Sequence, residues 1–191
     1  MPTDADLPAL HARALAATAG VVAGVPAPRL DDASVCAGWS VRELLNHVVS
    51  GNWWVPELAS GQSIADVGDR LDGDLLGADH VAAYQGSADA AAAAFQQPGA
   101  MERPVAVSYG PVPGSVYCGH RFIDVLVHGW DLARSTGQDA TLDPDLVQAC
   151  WEVVEPQAEG FKASGVFGSE VEVPPGADLQ TRLLATLGRR A

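Results

Sequence analysis

Apolar residues recur at three- and four-residue intervals along most of this chain, the spacing of helices that bury one face, with Gly- and Pro-rich breaks between them. Leu7, Leu10, Ala14 and Ala17 mark a first helix over residues 6–25, stopped by Gly24 and Pro26. After a connection over residues 29–38, Ser40 and Glu43 form an S-x-x-E capping box, with Trp39 placed to staple onto Leu44. A second helix is therefore predicted from Val41, nearing its end at Pro56. Leu44, His47, Val48, Gly51 and Val55 share its apolar face, which turns His47 inward.

Residues 60–77 are rich in Gly and Asp and read as a loop at a pocket rim. An alanine-rich helix follows over residues 79–97, ended by Pro98 and Gly99. Val105, Val107 and Tyr109 alternate with small or polar residues before Pro111-Val-Pro-Gly114, a short extended segment and turn leading into a long helix over residues 115–136 that closes at Gly137. Asp143 and Pro144 open a further helix to about residue 156, through Leu146, Val147, Cys150, Trp151 and Val154. Residues 160–176 read as irregular, with a short strand over 171–173, and a last helix spans 179–187 between Asp178 and Gly188. Four longer helices with appendages predict an all-α fold, an antiparallel four-helix bundle with short extended segments and a C-terminal helix, as one domain over residues 1–191.

Composition narrows the function. At 191 residues and 48% hydrophobic content the chain can bury a substantial core without disulfides. Its 24 acidic against 11 basic residues, a formal net charge of −13, argue against a nucleic-acid partner, which needs a basic surface. No basic leader precedes a long apolar segment, so no membrane partner is expected and the protein reads as cytoplasmic. Cys36, Cys118 and Cys150 are odd in number, widely spaced and without a C-x-x-C pair, and read as reduced packing thiols.

The candidate chemistry lies on two of the helices. His120, Asp124 and His128 follow one another at four-residue intervals, on one face of the long helix, and His47 can meet that face across a helix–helix interface. Imidazole and carboxylate donors of this kind suit Zn²⁺, Fe²⁺ or Ni²⁺, and three protein ligands leave a position open for substrate. The competing reading is of solvated or hydrogen-bonded histidines. Both His47 and His128 lie inside apolar runs, Leu44-Leu-Asn-His-Val-Val49 and Val125-Leu-Val-His-Gly-Trp-Asp131, where an unsatisfied imidazole is costly.

Two stretches carry a family resemblance: Cys36-Ala-Gly-Trp-Ser-Val-Arg-Glu-Leu-Leu-Asn-His47 and Asp124-Val-Leu-Val-His128-Gly-Trp-Asp-Leu-Ala-Arg134. They resemble the metal-binding domain of mycothiol-dependent maleylpyruvate isomerases, within the DinB/YfiT-like superfamily. The closing segment from Gly176 to Arg189 is similar to the end of an actinobacterial branch of that group. The resemblance implies a divalent metal held by His47, Asp124 and His128, with aspartate where the isomerase pattern has glutamate. His120 stands about 12 Å along the axis from His128, too far for joint ligation, and becomes a candidate acid–base or supporting residue, or a surface histidine. Asp131 is a candidate to orient a ligand histidine, or a packing acid.

Three functions are expected to compete. The leading one is thiol S-transfer, in which the metal, zinc before nickel or iron, activates the sulfur of mycothiol or another low-molecular-weight thiol. The second is a hydrolase or isomerase working through activated water, with His120, Tyr117 and Asp131 as acid–base candidates. The third is a non-catalytic metal-binding bundle in which Trp53, Trp54 and Trp130 only fill the core. The isomerases carry a further C-terminal domain that supplies a basic residue, which is not expected here and sets maleylpyruvate isomerisation behind S-transfer. The expected partners are a small-molecule substrate and a thiol, and self-association would take the form of a homodimer.

Overall fold

The computed structural model describes residues 6–160, 171–173 and 175–190. These fall into two compact units, residues 6–140 and the described residues from 141 onward. In the larger, α1 (Leu7–Ala23), α2 (Val41–Ala59), α4 (His80–Phe95) and α5 (Gly114–Thr136) form a four-helix bundle, with α3 (Ile64–Val67) and a hairpin of β1 (Pro104–Val107) and β2 (Gly110–Pro113) in the connections. Each long helix packs on two others, in the cyclic order α1, α5, α2, α4.

Cross-helix contacts set the directions. Asn52 of α2 meets Arg121 of α5, while the earlier His47 meets the later His128, so these two helices are antiparallel. His11 and Leu15 of α1 meet Phe95 and Tyr84 of α4, in reverse order again. Thr18 meets Val125 and Val21 meets Gln138, so α1 runs parallel to α5. The parallel pair approaches closely because residue 129 is glycine: a Cβ there would collide with the Thr18 side chain. Those directions make α2 and α4 parallel as well, and consecutive parallel helices need a long crossover; residues 60–79 supply it, running back along α2 with Arg70 at Glu57 and the Leu75 N–H donating to Asn46 Oδ1.

Local signals account for most boundaries. The Ser40 Oγ accepts from the Glu43 N–H at 3.2 Å, and Glu43 Oε2 accepts from the Ser40 N–H at 2.7 Å, closing the capping box of α2. Pro56 does not end that helix, which runs on to Ala59. A proline in the last turn forfeits one backbone bond while the flanking apolar residues Val55 and Leu58 stay buried, so the turn holds. The loop after α2 is less irregular than its composition suggests, since Ser63 and Asp66 make a second capping box around α3. Gly137 closes α5 in the left-handed region at φ 71°, with the Gln138 N–H reaching back to the Ala133 carbonyl at 2.9 Å.

In the smaller unit, α6 (Pro144–Val154) packs on α7 (Leu179–Thr186), the Leu142 N–H donates to Gln180 Oε1 at 2.9 Å, and the Arg182 guanidinium lies 4.8 Å over the Trp151 ring. Residues 171–173 form no strand, correcting the expectation; β1 and β2 pair with each other, and no other described strand offers a ladder partner. Residues 161–170 and 174, within the tract expected to be irregular, lie outside the described residues. Among the described residues no helix is long and apolar enough to cross a membrane.

One core residue breaks the apolar pattern. His11 is fully buried against the Phe95 ring, and neither ring nitrogen has a hydrogen-bond partner among the described residues. Burial first, and the nearby Arg121 charge second, push its pKa down to about 3, so it folds neutral. The unfolded chain then binds one more proton than the folded one between the ordinary histidine value and about 3, and stability falls with falling pH across that window. Metal-free wild type is expected to lose, relative to His11→Leu, about 1 kcal/mol per pH unit there, measured by urea unfolding at a series of pH values. Parallel pH profiles for the two proteins would show that His11 is not the neutral group described.

Candidate metal centre

The antiparallel seam of α2 and α5 brings His47, Asp124 and His128 together. Asp124 Oδ1 lies 3.5 Å from His47 Nε2 and 3.5 Å from His128 Nε2, and one donor atom from each residue falls within 4.8 Å of the others. The two rings stand nearly perpendicular at a centroid separation of 5.0 Å. A gap of 3.5 Å is too long for a strong N–H···O bond. It matches a shared cation better: metal–ligand bonds of about 2.0–2.1 Å at tetrahedral angles leave neighbouring donors about 3.4 Å apart. The donor set, two imidazole nitrogens and one carboxylate oxygen, therefore fits a zinc-sized divalent ion in both chemistry and spacing.

The surroundings hold each donor in place. His128 Nδ1 lies 2.9 Å from Asp131 Oδ2, a fully buried carboxylate, which leaves Nε2 as the nitrogen turned to Asp124. Arg121 Nη1 donates to Asp124 Oδ2 at 2.8 Å. Burial opposes charge on Asp124, but the Arg121 guanidinium, followed by His128, outweighs it and holds the carboxyl well below the usual range. At His128 burial opposes protonation, yet Asp124 and then Asp131 raise its pKa well above the ordinary value in the metal-free chain. Proton and cation compete for that nitrogen.

His47 is not turned fully inward: its side chain is 40% exposed, at the edge of the apolar stripe rather than beneath it. Leu44, Val48 and Val55 occupy the buried line of the same helix. The centre is thus reachable from solvent on the α2 side. His120 belongs to neither cluster of candidate donors; its Nδ1 lies 2.9 Å from the hydroxyl of Tyr109, beside the hairpin. Tyr117 is buried against Phe95, and burial pushes its hydroxyl up to about 12.

Two neighbours escaped the reading of the sequence. Trp39, 37% exposed, sets its ring 5.0 Å from His47 and 6.3 Å from His128. Cys36 was expected to pack like the other thiols, but its Sγ lies 3.3 Å from Asp131 Oδ2, and Cys36, His128 and Asp131 form a second group of converging donors. Cys118 and Cys150 are buried, and burial pushes each thiol up to about 12. The available signal was the distance between Cys36 and His47 within one motif. What placed Cys36 is the loop: the Val35 N–H donates to Ser135 Oγ at 3.0 Å, and Ser135 Oγ to the Asp131 carbonyl at 2.6 Å, stapling residues 34–36 to α5.

The model of the mycothiol maleylpyruvate isomerase N-terminal domain family matches residues 11–133, which include Cys36, Trp39, His47, Arg121, Asp124, His128 and Asp131. Two proteins from two strains of Mycobacterium tuberculosis, both described as uncharacterized, are 38% identical over 184 residues, covering 94% of this chain and 95% of each of them. The crystal structure of the mycothiol-dependent maleylpyruvate isomerase superposes with a TM-score of 0.67 at 15% identity, over 88% of this chain and 74% of that one. A single-residue variant of that enzyme gives 0.67 at 14%. The helical fold expected from the resemblance is the fold these comparisons support.

Alanine at His47, Asp124 or His128 is expected to lower bound metal below one equivalent after equilibrium dialysis, with helicity by circular dichroism unchanged. Asp131→Asn should weaken the affinity by roughly 10–100-fold, the usual consequence of losing a group that orients a ligand histidine. Full occupancy in folded His47→Ala and His128→Ala would remove both residues from the ligand set.

Proposed function

This chain belongs to the mycothiol maleylpyruvate isomerase N-terminal domain family, and on that basis we propose that it is a metal-dependent thiol S-transferase of the mycothiol type. The observation that carries the reading is Asp124 Oδ1, set 3.5 Å from each of two imidazole Nε2 atoms at the solvent-reachable edge of a helix seam. In this reading His47, Asp124 and His128 hold the cation, zinc by donor preference, and leave a position open. When bound, the cation supplies Lewis acidity, lowering the pKa of a sulfur placed on it so that a thiolate is available near neutral pH.

The chain's own groups do the rest. Asp131 keeps His128 in the Nδ1–H tautomer, so that Nε2 carries the lone pair. Trp39 gives one side of the site an apolar wall that limits water around the sulfur. The thiolate lone pair would form an S–C bond with the electrophile as the carbon–leaving-group bond breaks, and the leaving group would depart with that bond's electron pair and take up a proton from solvent, balancing the one released when the thiol binds. Asp131 is a positioning residue in this scheme, and His120, held at Tyr109, lies too far along α5 from His128 to share its donor site. A thiol-dependent isomerase would use the same thiolate, adding it to a double bond and expelling it after rotation, and the family of isomerase domains to which the chain belongs supports this alternative about equally.

Cobalt-substituted Cys36→Ser protein is expected to show a new sulfur-to-metal charge-transfer band on adding mycothiol or a simpler monothiol. The Cys36 substitution removes the one protein thiol beside the centre. Thiol binding should release a proton and tighten as pH rises toward the free thiol pKa. Absence of any band at millimolar thiol would turn the assignment toward water activation or a binding role.

A further inference from the structure

Arg121 is the least expected group around the centre. It lies on α5 one turn before Asp124, is only 8% exposed, and its two terminal nitrogens donate into a chain of polar groups at the helix seam. Nη1 donates to Asp124 Oδ2 at 2.8 Å, and Nη2 donates to Asn52 Oδ1 at 3.3 Å across the seam. Asn52 Nδ2 in turn donates to Ser87 Oγ at 3.2 Å on α4, and Ser87 Oγ to the Tyr84 carbonyl at 2.8 Å. The backbone of α2 makes room for this arrangement: residue 51 is glycine, and a Cβ there would collide with the guanidinium. Three helices are thus committed to fixing one guanidinium against one oxygen of one carboxylate.

We propose that Arg121 is a positioning residue that makes Asp124 a one-oxygen ligand and so keeps a coordination position open. The role rests on the metal-centre reading above. With Oδ2 engaged by Nη1, only Oδ1 faces the two imidazoles. An aspartate released from the guanidinium can turn both oxygens toward a cation and chelate it, filling the place an incoming ligand would take. The planar fork of arginine is suited to the task, because it binds Asp124 and Asn52 from separate nitrogens in a fixed geometry; a lysine ammonium is a single point charge. The guanidinium also offsets the charge of Asp124, leaving a bound cation a stronger acceptor for an anionic ligand.

The test uses the full-length cobalt protein and azide, an anion that probes the open position without requiring a thiol. Arg121→Gln is expected to lower the intensity of the cobalt d–d bands, as a fifth ligand atom replaces a four-coordinate geometry, and to weaken azide binding by roughly tenfold or more. Arg121→Lys should fall between Arg121→Gln and wild type. Asn52→Ala, which leaves Arg121 in place but removes its brace, should move both readings the same way by less. A merely structural ion pair would lower the melting temperature without changing band intensity or azide affinity, and that result in folded Arg121→Gln would overturn the proposal. Should Arg121→Gln fail to fold, wild-type spectra and azide binding in both Arg121→Lys and Asn52→Ala would overturn it equally. A wild-type protein that takes up no cobalt would defeat the metal-centre reading itself, and this role with it, a result distinct from a wild type that binds cobalt and azide no differently from its variants.

Discussion

The carboxylate of Asp124, only 20% exposed in the seam of two helices, imposes the conditions the rest of the structure meets. A carboxylate largely withdrawn from water is costly without compensation, and the groups around this one come from three directions: a guanidinium on one oxygen and two imidazoles facing the other. Each compensating group brings its own requirement. Arg121 needs Asn52 and the room left by Gly51, His128 needs Asp131, and His47 needs α2 to run antiparallel to α5 at that height. A constellation of polar groups this dense inside a helix seam has little value as packing, since apolar residues of similar volume would commonly be as stabilising. Its value lies in the donor atoms it presents.

The bundle supplies the rigidity that such a centre requires. Ligands carried on helices rather than loops hold their geometry through packing, and α5 is buried along most of its length by the two helices beside it. Close approach is built in by small residues, Gly129 against Thr18 on one side and Gly51 beneath Arg121 on the other. Among the described residues, irregular chain contributes the segment carrying Cys36 and Trp39, stapled to the end of α5 through Ser135. That segment gives the centre its apolar wall and its only neighbouring thiol among the described residues. A loop next to a rigid scaffold is the usual place for groups that set specificity.

The charge balance points the same way. The metal-free cluster stabilises an ionised Asp124 and a protonated His128, two partners whose Coulomb attraction stands in for a cation. Arg121 keeps a positive charge beside the carboxylate in either condition, so the carboxylate does not depend on the cation alone for its compensation. The chain as a whole is strongly acidic, at a net charge of −13, and within the cluster the two cationic groups, Arg121 and protonated His128, are matched by the two carboxylates of Asp124 and Asp131.

Helix periodicity, the capping box at Ser40 and the left-handed glycine after Thr136 were legible in the sequence because each is a local consequence of residues within a few positions of one another. The four-residue ladder on α5 was legible for the same reason, and the motif resemblance joined His47 to it. Other features depended on separations that no local pattern records. His47 stands at the edge of its stripe because the seam with α5 meets α2 off the centre of its apolar face. His120 turned to Tyr109 because the hairpin folds back beside it, and Cys36 came to Asp131 because residues 34–36 are tied to a serine about a hundred positions later. Arg121 read as one more charge on a helix until α2 and α4 closed around it. Local sequence thus determined which helices form and which donors share a face, since propensity, caps and period act over one or two turns. Only the tertiary structure decided which donors converge and what charge surrounds them, since those depend on how separately formed helices pack.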